Sequence, residues 1–328
     1  MRFSIGIYPN GSAQETIATA ELADRLGYST VWILDSHLLF REVYTMLGAI
    51  AVKTKRIRMG TAVTNPVTRH MTVTASAYST LDELSGGRAV LGISVGDSAL
   101  KAMGLPISKV DDLAVAVGTI RELLAGRSVK IAGGDEAKVT HAKNRKVPIY
   151  VGATGPKMLR LSGAMADGVI LMNGVAPDLI QAAIDLVHQG AREANRNPAA
   201  VKILVWSACH ANDVNPAESI DTVKFNVARA ILRGMPGPID ELTKVTADNV
   251  RKAYDYAQHG TAEAGFSALV PDELVPRYAF AGTPKDIQAQ VDRLKGLGVD
   301  EITFAVPRAF GVTPRDRVIE LLAKQFLR

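Results

Sequence analysis

Two rhythms of apolar positions alternate along the chain. Short runs such as residues 2–8 (RFSIGIY) and 30–34 (TVWIL) are apolar or β-branched at nearly every position. Longer stretches such as 12–26 and 43–53 carry apolar residues three and four positions apart. The first rhythm predicts strands buried on both faces, the second amphipathic helices. Strands are predicted over 2–8, 30–34, 56–63, 88–94, 147–152, 168–172, 201–208 and 301–306. Helices are predicted over 12–26, 43–53, 72–84, 113–124, 157–165, 178–194, 284–297 and 315–326. Gly27 follows the first helix as a C-terminal glycine, and Gly86-Gly87 follows the third.

Eight strands, each followed by a helix, predict an α/β fold, the (β/α)8 TIM barrel. A doubly wound open sheet shares the alternation, but eight repeats and no glycine fingerprint after the first strand favour closure. The rhythm breaks over about 212–278, a polar, helical stretch with Pro236-Gly237-Pro238 in its middle. It is expected to be a helical insertion over the barrel mouth within one barrel domain spanning 1–328. Loops after strands form the active face of such barrels, so the site is expected in those loops and the insertion.

Composition narrows the class. Of 328 residues, 47% are hydrophobic and 22% charged, the globular balance, which excludes disordered and fibrous chains. Mean hydropathy is +0.10, yet no apolar run approaches the roughly 20 residues of a membrane span. The start, MRFSIGIYPNG, reads as a strand and turn rather than a secretory leader. The single cysteine, Cys209, excludes an internal disulfide framework, so the cytoplasm is the expected compartment. The net charge of +5 is scattered, which argues against a nucleic-acid partner and leaves room for steering an anionic small molecule. The histidines have no metal-ligand spacing, and a P-loop is absent.

Several strand ends carry residues capable of chemistry. Gly152-Ala153-Thr154-Gly155-Pro156-Lys157 joins a strand to a helix, with Pro156 suited to the first helical turn. It is either a phosphate cradle at the helix N-terminus, with Lys157 as added charge, or a tight turn that needs glycine for shape. Thr64 and Asn65, before Pro66, either face a planar ligand or only make a turn. Asp35 is a site carboxylate or a helix N-cap. Asp97, after Gly96, caps the next segment or binds a ligand hydroxyl. Asn173 opens the loop after the sixth strand, and His70 is either a group titrating near neutrality or a capping or packing residue.

Taken together, these stretches resemble a known family. Residues 60–70 (GTAVTNPVTRH) are similar to the third-strand motif of coenzyme F420-dependent methylenetetrahydromethanopterin reductases. Residues 82–88 (DELSGGR) resemble a turn shared across the bacterial luciferase-like superfamily. Residues 92–97 (GISVGD), 103–106 (MGLP), 152–159 (GATGPKML), 166–169 (ADGV) and 281–284 (AGTP) extend the resemblance over nearly the whole chain.

The resemblance implies a TIM barrel with insertions, usually a homodimer, with a deazaflavin (coenzyme F420) or FMN at the barrel mouth. It implies a cis Ala62–Val63 peptide behind the middle ring. It places ring and tail contacts at Thr64, Asn65, Gly96 and Asp35, and the cofactor phosphate at Gly152, Ala153, Thr154, Gly155, Pro156 and Lys157. The implied activity is hydride transfer between F420 and a small organic substrate such as methylenetetrahydromethanopterin, with Asp35 as the catalytic candidate. An FMN-dependent monooxygenase and a non-catalytic flavin-binding protein are the alternatives. Gly6 stands where the archaeal reductases carry a glutamate thought to act as an acid, and Asp35-Ser36 replaces an Asp-His pair.

Overall fold

A computed structural model describes all residues except 132–133, 235, 238, 255–264, 308–312 and 328. Eight parallel strands form the barrel: β1 (Arg2–Ile7), β2 (Thr30–Ile33), β3 (Arg58–Thr61), β4 (Ala89–Ile93), β5 (Ile149–Ala153), β6 (Gly168–Leu171), β7 (Lys202–Ala211) and β8 (Glu301–Val306). Each pairs with the next, and β8 pairs with β1 through Arg2–Glu301 to Ile7–Val306, so the sheet closes. The open-sheet alternative is thereby set aside. A short strand, Phe280–Gly282, pairs with the far end of β7.

Helices connect the strands on the outside: α1 (Ala13–Leu26), α2 (Val43–Lys53), α3 (Met71–Ser85), α4 (Val110–Leu124), α5 (Pro156–Met165), α6 (Pro177–Glu193), α9 (Pro284–Asp292) and α10 (Arg315–Phe326), with α7 (Pro216–Leu232) and α8 (Glu241–Ala253) in the insertion. Local chemistry explains the ends. Ser12 and Glu15 form a capping box at the start of α1, and Gly27 closes it in the left-handed conformation. Among the described residues no helix is long and apolar enough to cross a membrane.

Strand residues alternate between two cores. Ile5, Ile7, Val31, Ile33, Leu91, Ile93, Val169 and Leu171 face outward against the helices. Trp32, Ala62, Val90, Tyr150, Ile170, Leu204, Trp206 and Ala305 fill the barrel interior, with Tyr8, Leu34, Val63 and Met172 packed against them. That second group forms the floor of the mouth. The insertion has its own apolar cluster, including Val223, Val227, Val250, Phe266 and Leu274. It is helical over α7 and α8, as the polar helical pattern predicts, and residues 235, 238 and 255–264 of it lie outside the described residues.

Two segments depart from the sequence reading. Residues 98–102 form a short helix, and Val129–Lys130 pairs with Glu136–Ala137 as a small antiparallel ribbon. Both elements are too short for periodicity to reveal.

Candidate active site

A cavity of about 300 Å³ opens at the C-terminal ends of the strands, within the size range of small-molecule sites. Asp35, Ala62, Val63, Asn65, Gly96, Asp97, Gly152, Ala153 and Thr154 line it. These residues come from the ends of four strands and are up to about 120 positions apart in sequence, so only barrel closure brings them together. The Ala62–Val63 peptide is cis, and both side chains belong to the cavity floor.

Asp35 is buried, and Arg69 Nη1 donates to its Oδ2 at 2.5 Å. The other guanidinium nitrogen of Arg69 donates to Glu42 Oε1 at 2.6 Å, and the group stacks 4.5 Å above the Tyr44 ring. Glu42, not Asp35, caps α2 by accepting from Thr45 N–H at 2.7 Å. The N-cap alternative for Asp35 therefore falls. Burial raises the Asp35 carboxyl above its ordinary range, and the Arg69 cation opposes that rise only in part. Asp35 thus holds a proton to higher pH than a solvated carboxylate.

Asn65 accepts from Val67 N–H at 3.0 Å and Thr68 N–H at 2.8 Å through Oδ1, so its oxygen makes the turn. Its amide group still borders the cavity. Thr64 is fully buried and stands behind the lining, where its N–H bonds Gly92 and its carbonyl accepts from Ser94. His70 caps α3, with Nδ1 2.8 Å from Thr72 Oγ1.

On the opposite wall the Gly152–Thr154 segment leads into α5. Pro156 occupies the first turn, and the N-cap Gly155 supplies no side-chain acceptor to the N–H groups there. A Cβ on Gly155 would meet nothing within 4 Å, so open space lies over that helix end. Pro156 and Lys157 are exposed beyond the cavity lining. Asn173 is buried, donates through Nδ2 to Thr154 O at 2.9 Å, and has no partner for Oδ1. The N–H groups of the helix end and the open space over it suit the phosphate of a cofactor lying along this wall, and the unpaired Asn173 oxygen suits a hydroxyl donor of the same ligand.

Asp97 makes no cap hydrogen bond to the short helix that follows it. Its carboxylate instead pairs with Arg229 at 2.9 Å and Lys101 at 3.1 Å, with Arg233 3.9 Å away. Burial works against its ionisation, and these cations outweigh it, so the carboxyl is held below its ordinary range. Arg229 and Arg233 come from α7 and had no signal in the sequence beyond membership of a polar helical insertion. Tyr8, at the end of β1, also lines the cavity, and its hydroxyl accepts from Asn226 at 3.0 Å.

Gly6 is explained by Trp206. A Cβ at position 6 would lie 2.4 Å from the indole Cη2, so the ring fills the volume that a first-strand side chain would need. Other matching motifs are architectural. Arg88 donates to the carbonyls of Ala51, Thr54 and Ile57 and fastens α2 to β3. Asp167 accepts from Ile149 N–H at 2.8 Å and pairs with Arg121.

The closed barrel, with a carboxyl-bearing cavity at its C-terminal face and a helix N-terminus in one wall, defines a ligand-binding (β/α)8 protein of the enzyme type. The chain belongs to the luciferase-like monooxygenase family, whose model matches residues 1–301. It is 33% identical to the 5,10-methylenetetrahydromethanopterin reductase of Methanolobus tindarius, covering 100% of both chains. It is 32% identical to the corresponding enzyme of Archaeoglobus fulgidus over 100% of this chain and 99% of that one. Among solved structures, the coenzyme F420-dependent tetrahydromethanopterin reductase from Methanopyrus kandleri is similar, with a TM-score of 0.80 and 25% identity. That match covers 99% of this chain and 98% of the other.

Proposed function

We propose that this protein is an oxidoreductase that transfers a hydride between coenzyme F420 and a methylene-carrying tetrahydropterin of the tetrahydromethanopterin class. The observation that carries this reading is the full-length similarity to the reductases, at 33% identity with both chains covered end to end. The cavity supports it. Its floor at Ala62 and Val63 is small and apolar, as a planar ring requires, and the α5 wall offers N–H donors to an anion.

The residues fit a deazaflavin. Ala62, Val63, Asn65 and Gly96 would border its ring system. Gly152, Ala153, Thr154, Gly155, Pro156, Lys157 and Asn173 would hold its phosphate-bearing tail, while Thr64 backs the ring from behind. When bound, a deazaflavin supplies or accepts a hydride at ring carbon C5. Reducing a methylene bridge to a methyl group also requires a proton on the amine that the bridge releases. Asp35 is the group that gives that proton, because it lines the cavity and its carboxyl is raised by burial. Arg69 positions it. Trp206, in the space above Gly6, leaves no room there for a first-strand acid.

A homodimer belongs to the same reading through the resemblance, and exposed Val52, Val73 and Leu84 on α2 and α3 are apolar side chains that a partner would cover. Sedimentation velocity tests it. The function is tested by titrating the purified protein with F420 and with FMN. Tight binding of F420 and weak binding of FMN is expected; the reverse order returns the protein to the monooxygenase alternative.

A further inference from the structure

A second cavity of about 80 Å³ lies beneath α7 and joins the main one. The two share Tyr8, Asn226, Arg229 and Arg233, and the smaller one continues to Trp206 and Ser207. Its size suits one small polar group rather than a ring. Arg229 lies in the last turn of α7 and Arg233, four residues on, is its C-cap in the helical conformation, so the two share one side of that helix end. Their side chains are 15% and 31% exposed, which places two guanidinium groups largely out of water.

The charges around the mouth are unequal. Among the described lining residues the cations are Lys101, Arg229 and Arg233, and the carboxylates are Asp35 and Asp97. Asp35 is held by Arg69, outside this group. Asp97 lies 2.9 Å from Arg229 and 3.1 Å from Lys101, while Arg233 stands 3.9 Å from the same carboxylate. Burial and the neighbouring Arg229 cation push Arg233 down to about 10. Like charges packed together without matching anions are unfavourable unless a ligand completes the set.

We infer that Arg233, with Arg229, forms a subsite for a carboxylate or phosphate group of the ligand that occupies the mouth. The substrate and the cofactor both occupy the mouth and both can carry such an anion, and titration separates them. Arg233 itself stands beside the β5 wall: its guanidinium reaches the Met172 sulfur at 3.9 Å and lies 3.9 Å from Asp97, at the ends of β6 and β4, the two strands that flank β5. The inference rests on the proposed reaction for the identity of the ligands in the mouth, though not for the existence of the anion subsite.

The experiment uses the full-length protein saturated with F420, which fills the α5 wall, and calorimetric titration rather than turnover. The titrants are inorganic phosphate, a methyl-tetrahydropterin with its anionic tail, and the same pterin without the tail. Wild type is expected to bind phosphate and to prefer the tailed pterin by about ten- to hundredfold, the value of one charge-assisted hydrogen bond. Arg233→Gln should abolish both effects, and Arg233→Lys should restore part of them. Melting curves confirm that each variant is folded. Phosphate binding lost in Arg233→Gln, with neither pterin bound by any form, would uphold the subsite and overturn the pterin reading instead. If Arg233→Gln leaves phosphate affinity, tail preference and F420 affinity unchanged, the inference is wrong. F420 and its dephosphorylated core, titrated separately into the free protein, separate the two sources: an Arg233→Gln loss confined to intact F420 assigns the anion to the cofactor, and a lost tail preference with F420 affinity unchanged assigns it to the substrate.

Discussion

Arg69 holds Asp35 at 2.5 Å with one guanidinium nitrogen while the other reaches Glu42 at 2.6 Å. The carboxyl is therefore fixed in direction at the cavity wall, buried enough to be raised, and still countered by a cation. A group in that position can release a proton in a pH range closed to a solvated carboxylate.

Asp35→Asn is expected to lower turnover by roughly 10²–10⁴-fold, the usual contribution of a general acid, with F420 affinity nearly unchanged. Steady-state kinetics beside a fluorescence titration separates the two. The pH dependence follows from the same environment. Protonated Asp35 is the active form, so the reductive rate falls as pH rises through the raised pKa. Arg69 lowers that pKa, so Arg69→Met should move the falling limb to higher pH. A limb that stays in place, or that persists in Asp35→Asn, assigns the proton to another group.

Gly155→Val tests the phosphate wall. Gly155 has φ −84° and ψ 159°, which valine adopts without strain, and a Cβ there meets nothing in the protein. The added bulk falls in the space over the α5 N-terminus. F420 should bind about ten- to hundredfold more weakly, and its dephosphorylated core should be unaffected. Equal weakening of both forms would move the phosphate elsewhere.

The wall itself depends on a close helix crossing. A Cβ on Gly163 of α5 would lie 1.9 Å from Val187 O, and one on Gly190 of α6 would lie 2.0 Å from Arg160 O. Each position faces the backbone of the other helix, so neither can take a side chain unless the helices separate. Gly190→Ala is expected to cost about 1–3 kcal/mol in denaturant unfolding and to weaken F420 through displaced α5. Full stability in that variant would show that the crossing has slack.

Much of this was legible from the chain. The strand and helix rhythms depend on local burial, so they survive without tertiary information, and the eight repeats led directly to closure. Asp35, Asn65 and Gly152 were findable because strand ends define the mouth of any such barrel. Arg229 and Arg233 were not, because what matters about them is where α7 crosses the mouth, a relation set by packing against residues far away in sequence. The same holds for Trp206 over Gly6: two residues 200 positions apart share one volume, and neither signals the other. For Asp97 the residue pattern leaves a cap and a ligand contact both open, and only the cap reading falls, because three cations from elsewhere in the fold claim the carboxylate.

Asp24 offers a control away from the site. Burial opposes its ionisation, but the backbone N–H groups of Lys55, Ile57 and Arg56 outweigh that and hold its pKa below the ordinary range. The stabilisation is therefore present above the unfolded carboxyl pKa of about 3.9 and lost as pH falls through the folded value. Asp24→Asn should cost on the order of 1–2 kcal/mol at neutral pH, and less below about pH 3. Urea unfolding at the two pH values measures the difference, and an equal loss at both would contradict the charge-dependent origin.

The decisive observation is the fate of a reduced deazaflavin. Reduced F420 is mixed anaerobically with the protein and methylenetetrahydromethanopterin, and the absorbance of the oxidised ring is followed while the pterin product is analysed by mass. The expected result is oxidised F420 appearing in step with one methyl-pterin per cofactor, strongly slowed in Asp35→Asn. Bound F420 that stays reduced in the presence of the pterin would contradict hydride transfer to this substrate class.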